Sequence, residues 1–347
     1  MPTSTVLGGY YYSGPIEAIP ADRLTHLFHA FATIEDGHLT LPPAAPATLA
    51  YLRRAHPHLK VILSVGGWGA DGFSDAALTA SSRASFAEEC LTLAAGFDGV
   101  DLDWEFPVSG GPAEVVHRPE DRRNATLLAR ELRDRLGPDR LLSAALPAGR
   151  LQSAGPYDPA ESYELEAFAG LLDFVCLMTY DFGTVFSPIA TFNAALPEVA
   201  GAVDYYEGQG VPREKLVLGV PFYGRGFRAE PPGLFQPQTG AVHVGDYRDI
   251  ARDLLPDPAW ERHRHPEARS PWLYHPQTRT FVSYEDAESI EERAAFAAEH
   301  GLRGAFTWHL GGDDDQHSLL DAMVRPFREH GSDGAGRRTE PEPKPNG

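Results

Sequence analysis

The sequence carries only two cysteines, Cys90 and Cys176, in 347 residues, which excludes a disulfide framework. Both sit in apolar surroundings, EECLTLAAGF and DFVCLMTY, as buried, unreactive thiols do. No run approaches the roughly 18 apolar residues that a membrane-crossing helix needs. Positive charge is scarce: 30 Lys and Arg against 49 Asp and Glu leave a formal charge of −19. Such a field repels phosphate backbones and anionic lipid, so neither nucleic acid nor a membrane is an expected partner. A neutral or cationic small substrate fits it. The opening MPTSTVLGGYYYSG lacks a basic segment followed by an apolar one, so no signal peptide is expected in the chain as given. The compartment stays unassigned: cytoplasmic as written, secreted if a leader has been removed.

What is present is globular in kind, with 42% hydrophobic and 23% charged residues. The length suits two domains or one large α/β barrel. Eight short apolar runs read as strands: Val6–Tyr12, Leu24–Ile34, Lys60–Gly66, Gly99–Phe106, Arg140–Leu146, Asp173–Tyr180, Lys215–Tyr223 and Gly304–Leu310. Several are apolar nearly throughout, as strands covered on both faces are. Helical spacing of Leu, Ala and Phe marks Ser81–Ala95, Pro119–Leu136 and Ser283–His300, the first opened by a Ser-x-x-Ser start. This alternation predicts a (β/α)8 TIM barrel, with a doubly wound open sheet as the alternative. One connection is too long for a loop. An α+β insertion is therefore expected over 228–284, between strand 7 and helix 7, dividing a catalytic barrel of 1–227 and 285–330. The Gly, Pro and charge of 331–347 predict a disordered tail.

The most informative segment is FDGVDLDWEFP, residues 97–107. On a strand, Asp101, Asp103 and Glu105 share one face while Val100, Leu102 and Trp104 share the other. Alternate Cα atoms lie about 6.6 Å apart, close enough for neighbouring acids to couple. A solvated edge strand would interleave such acids with Lys, Thr or Glu rather than bulky apolar residues. A magnesium site could be built from acids alone, but the His–carboxylate sets of transition-metal sites are missing nearby. His26, His29, His263 and His265 read as ordinary core or surface imidazoles. In a barrel, chemistry gathers at the C-terminal strand ends, so Glu105 is best placed to meet substrate. Like charges along the row oppose full ionisation, which leaves a shared proton and a route to a protonated Glu105. Hydrolysis of an acetal needs such an acid.

The segment DGVDLDWEFP resembles glycoside hydrolase family 18, the chitinases and their relatives, whose Asp-x-x-Asp-x-Asp-x-Glu pattern falls on Asp98, Asp101, Asp103 and Glu105. Further segments agree in order over about residues 5–325: HAFAT with Phe31, LSVGGW with Trp68, LMTYDF with Met178, Tyr180 and Asp181, VPFYGRGF with Tyr223, and AFTWHLGGDD with Trp308. The resemblance implies a retaining, substrate-assisted mechanism in which the sugar's acetamido group is the nucleophile. Catalysis would fall to Glu105 as acid and base, Asp103 beside the acetamide, Asp101 sharing the proton of Asp103, and Tyr180 donating to the acetamide oxygen. Tyr10, Phe31, Trp68, Met178, Asp181, Tyr223 and Trp308 would bind sugar, the aromatics by stacking. Ser64, Gly66 and Gly67 would permit close approach beside the acids, and Asp313–Asp315 would favour a helix N-terminus. Arg225 and Asp246 read equally well as surface charges and stay outside the expected site. No cofactor and no metal is expected, and the chain is expected to be a monomer acting on chitin or chito-oligosaccharides. The implied alternatives are an endo-β-N-acetylglucosaminidase acting on N-glycans and a non-catalytic chitin-binding lectin. The latter would typically lack the terminal acid that Glu105 supplies.

Overall fold

The computed structural model describes residues 4–42, 44–149 and 160–336. Its strands, in chain order, are β1 (Val6–Tyr11), β2 (His26–Glu35), β3 (His38–Thr40), β4 (Lys60–Gly66), β5 (Gly99–Asp103), β6 (Leu141–Pro147), β7 (Phe174–Met178), β8 (Leu216–Pro221), β9 (Arg225–Ala229), β10 (Gln238–Val242), β11 (Glu261–His265), β12 (Ser270–His275), β13 (Thr280–Ser283) and β14 (Gly304–Trp308). Parallel pairing runs β1-β14-β8-β7-β6-β5-β4-β2, and β2 pairs back to β1. The ring is closed, so the chain is a (β/α)8 TIM barrel and not an open sheet.

The apolar runs explain why these residues are strands: each is covered on two sides. Val100, Leu102 and Trp104 of the acid-bearing segment face outward into the layer shared with Leu128 and Leu132 of the Asp121–Leu136 helix. Inside the ring, Phe28, Phe174, Cys176 and Phe306 fill the lumen below the mouth. Both cysteines are buried and free. His26 and His29 are buried, and burial holds both imidazoles down at about 4, in the neutral form.

Closure demands one special residue. At Gly304 a Cβ would overlap the carbonyl oxygen of Val6 on the neighbouring strand. Gly304→Ala is therefore expected to destabilise the fold by about 1–3 kcal/mol through overpacking, read as a lower denaturant midpoint with unchanged slope.

Beyond the barrel, β9–β13 form a second, antiparallel sheet in the order β10-β9-β13-β12-β11. It begins at Arg225, a few residues before the expected boundary at 228. Several local expectations shift. The helix predicted from Ser81 spans Ala80–Leu93, and its reciprocal cap is Thr79 with Ser82 rather than a Ser-x-x-Ser pair. The helix predicted over Ser283–His300 starts at Ala287, because Ser283 is the last residue of β13 and Asp286 caps the helix. The final helix, Ser318–Gly336, runs six residues past the expected start of the tail at 331. The rest of that expected tail, 337–347, lies outside the described residues.

Candidate active site

The loops at the C-terminal ends of the barrel strands surround a cavity of about 640 Å³. Ten of the eleven residues singled out from the sequence line it, and the eleventh, Asp101, lies directly beneath.

Asp101 is fully buried. Its Oδ1 accepts from Ser143 Oγ at 2.7 Å, and its Oδ2 from Ser64 Oγ at 2.7 Å and Tyr10 OH at 2.9 Å. Burial raises its pKa while these three donors pull the other way by favouring the carboxylate. Ser64 thus does more than save space: it holds the base of the row. Asp103 stands at the end of β5 opposite Gly66, where a Cβ would overlap the Asp103 carbonyl oxygen. Asp103 is buried, and its Oδ1 has no hydrogen-bond partner. Burial, then the charges of Glu105 and Asp101, lift its carboxyl well above the usual range.

Glu105 departs from expectation in its backbone. β5 ends at Asp103 rather than Phe106, so the glutamate is presented from the loop just past the strand. It still turns into the cavity, half-buried, and burial together with the charge of Asp181 pushes its carboxyl up to about 8. A neutral carboxylic acid is thereby available at neutral pH. Tyr180 is buried beside it, with its phenol pushed far above the usual value by burial. Met178 ends β7 on the lumen side.

Asp181 is organised by the expected Tyr223 together with Arg225, which sequence reasoning set aside, and Asn193, which it missed. Its Oδ1 accepts from Tyr223 OH at 2.9 Å and from Arg225 Nε at 2.7 Å and Nη2 at 2.6 Å. Its backbone N–H is held by Asn193 Oδ1 at 2.9 Å. The Arg225 guanidinium also sits 5.0 Å from the Tyr223 ring centroid. Arg225 is therefore part of the site and not a stray surface charge. Asp246 belongs there too, lining the cavity with its Oδ2 3.4 Å from His309 Nε2. Neither partnership is readable from a single chain, because each joins segments far apart in sequence.

The aromatics divide by depth. Phe31 and Trp308 stack at 5.6 Å and 18°, forming a flat floor. Trp68 is 46% exposed and meets Phe106 edge-on at 6.4 Å. Tyr10 is the correction. At 1% exposure it is stacked on Phe28 at 4.7 Å with its hydroxyl on Asp101, so it has no free face for a sugar and instead positions the acid. The accessible ring on that strand side is Tyr12, 59% exposed and 6.1 Å from Trp308. Strand alternation puts both tyrosines on one face, so Tyr12 was legible in principle; depth along the barrel was not.

After β14, Asp313 accepts from the Leu319 and Leu320 N–H groups and Asp314 from that of Ser318, so both act at the start of the last helix. Among the described residues, no three His, Cys, Asp or Glu side chains are grouped as a metal ion would require.

Residues 6–313 match the family described as Glycosyl hydrolases family 18. Chitinase A1 of Niallia circulans is 36% identical over 291 residues, covering 76% of this chain and 42% of that protein. Chitotriosidase-1 of Mus musculus is 33% identical over 338 residues, covering 87% and 70%. A mutant class V chitinase from Nicotiana tobaccum in complex with NAG4 superposes with a TM-score of 0.80 at 27% identity, covering 93% of this chain and 99% of that one. The chain thus spans less than half the length of Chitinase A1.

Proposed function

This chain belongs to glycosyl hydrolase family 18, and from that premise we propose that it cleaves β-1,4-linked N-acetylglucosamine oligomers by a retaining, substrate-assisted route. The observation that carries this reading is Glu105, a carboxyl pushed up to about 8 at the edge of an aromatic-floored cavity. It keeps its proton at neutral pH and has a partnerless carboxylate oxygen of Asp103 for a neighbour.

In the proposed sequence, a sugar lies on the Phe31–Trp308 floor and Glu105 gives its proton to the glycosidic oxygen. The bond from that oxygen to the anomeric carbon breaks as the acetamido carbonyl oxygen attacks the same carbon, giving an oxazolinium ion. Asp103 Oδ1 accepts from the acetamide N–H and offsets the developing positive charge, while Tyr180 donates to the acetamide oxygen. Burial raises the Asp101 carboxyl too, but the three hydrogen bonds it accepts pull the other way, so it is pushed up less far than Asp103 and the mobile proton stays on the Asp103–Glu105 side. Glu105, now a carboxylate, takes a proton from a water whose oxygen bonds to the anomeric carbon from the face the leaving sugar vacated. That carbon's bond to the acetamido oxygen breaks, so the acetamide is restored and configuration is retained. Preorganised acids facing a cation supply most of the stabilisation. The Asp181–Arg225–Tyr223 group holds the opposite wall.

The reading is tested by incubating the protein with N-acetylglucosamine hexamer and a high-mannose glycopeptide side by side, following products by time-resolved NMR. Cleavage of the hexamer with the β-anomer appearing first is the expected result. Release of the glycan instead makes the protein an N-glycan hydrolase, and binding of the hexamer without any cleavage makes it a lectin. Within the row, Asp103→Asn is expected to cut turnover by about 10²- to 10³-fold, the scale of a lost transition-state hydrogen-bonding group. It should also reshape the pH–rate curve; an unchanged shape would mean that Asp103 and Glu105 titrate independently.

A further inference from the structure

Exposed apolar side chains are unevenly spread. Among the described residues eight large ones are prominently exposed, and three of them, Tyr12, Trp68 and Val185, line the cavity. Val185, 46% exposed, stands at the rim of a strip whose other members lie just outside the cavity: Phe186 at 49%, Ile189 at 37% and Phe235 at 48%. The strip they form is built, not loose. Gln238 Nε2 donates to the carbonyls of Val185 and Ser187 at 2.8 and 2.7 Å. Phe235 and Ala190 bond through N–H to O at 2.8 Å, and Ala190 N–H to Gln236 O at 2.9 Å. Ile189 and Pro237 form an antiparallel bridge.

Phe235 is the telling residue. Its φ is +59°, a left-handed conformation that bulky residues rarely adopt and that surrounding structure must impose. The ring is set against Phe192 at 6.0 Å and 90° and His265 at 5.9 Å and 82°. An apolar ring kept in a strained backbone position and shown to water points to a ligand. The strip is also continuous with the cavity. Val185 lines both, and β10 runs from Gln238, beside Phe235, to Ala241 and Val242 in the cavity wall.

We propose that Phe235 and Ile189 form a chain-holding platform for the part of a chito-oligosaccharide that projects beyond the cavity. This rests on reading the cavity as a saccharide cleft and extends it to a second, more distant contact. A pyranose ring presents an apolar face of C–H groups that suits an exposed aromatic. The −19 charge of the chain disfavours a second copy on this strip, since like-charged copies repel. A neutral sugar chain feels no such repulsion.

The test uses the Glu105→Gln protein, in which bound oligosaccharide is not consumed, and calorimetry with N-acetylglucosamine dimer and hexamer. The parent should bind hexamer more tightly than dimer. Adding Phe235→Ala should weaken hexamer binding about three- to tenfold, the scale of one stacking contact, and leave dimer binding within about twofold. Ile189→Ser supplies an independent variant should Phe235→Ala lower the thermal midpoint. Equal weakening for both lengths, no weakening for either, or parent affinities that do not depend on length overturn the platform. So does a concentration-dependent dimer of the natural protein that Phe235→Ala abolishes. Failure to bind even the dimer overturns the cleft reading and the platform with it. Intact length-dependent binding without turnover of the hexamer by the natural protein overturns only the hydrolytic reading.

Discussion

Glu105→Gln is expected to lower the proposed hydrolysis of chito-oligosaccharides by about 10²- to 10⁴-fold, the span ascribed to a positioned general acid, while affinity for the hexamer stays within a few-fold. The amide keeps the shape of the carboxyl and its place in the cavity but has no transferable proton. Turnover near the natural rate would remove Glu105 from the chemistry altogether. The pH profile carries the same signature. With the carboxyl pushed up to about 8, the acid form dominates below that value, so kcat/KM should fall as pH rises through it. Stability runs with the opposite cost. A carboxyl whose pKa is higher folded than unfolded holds its proton better in the folded state, so stability declines as pH rises from the ordinary value of 4.5 toward about 8. Glu105→Gln removes that decline. The variant should match the natural protein in acid and exceed it in thermal midpoint above pH 8, a direct readout of strain kept at the site for function.

The second large effect is expected far from the acids. Arg293, on the Ala287–Glu299 helix, and Glu285 are both buried, paired through Nη1 and Oε2 at 3.1 Å. The guanidinium ties several segments together: Nε donates to Ala194 O at 2.7 Å, Nη2 to Ser270 Oγ at 2.7 Å and Nη1 to Ser289 O at 2.7 Å. These contacts join the segment after β7, strand β12 and the helix itself. Arg293→Met strips a buried charge of its partner and leaves those acceptors empty, so a loss of about 3–5 kcal/mol is expected, measured by denaturant unfolding. Glu285→Gln should cost much less. Burial outweighs the attraction of Arg293 and pushes the Glu285 carboxyl up to about 7. Its folded-state proton therefore stabilises below about 4.5 and that contribution is lost as pH climbs through 7. The amide variant should flatten the dependence over this window. A larger loss for Glu285→Gln than for Arg293→Met would show that the anion, not the guanidinium network, is the strut.

How far the sequence reached is clearest from individual residues. Strands such as Lys60–Gly66 are legible to the residue because burial on both faces from Val61 onward makes the run nearly all apolar. The short Leu165–Leu171 helix and β3 left no comparable periodic signal. The acid row was legible through alternation, yet the strand end was not. Where β5 stops is set by its neighbours, whose pairing ends at Gly66↔Asp103 and Leu102↔Ala144. Tyr10 shows a second limit. Alternation tells which face a residue takes, but how deep it sits depends on the stagger of the whole ring. Arg225 shows a third. Its role is defined by Asp181, 44 positions earlier in the chain, and charge pairing over that distance leaves no local trace.

The seam of the barrel has one last consequence. The acids of β5 stand in the first third of the chain, but Trp308 comes from the stave that closes the ring against Val6–Tyr11. During translation the charged groups leave the ribosome long before the tryptophan that completes the stacked pair with Phe31. A polypeptide terminated between residues 182 and 307 would carry every carboxylate of the proposed chemistry and still lack one ring of the stacked Phe31–Trp308 pair proposed to seat the sugar.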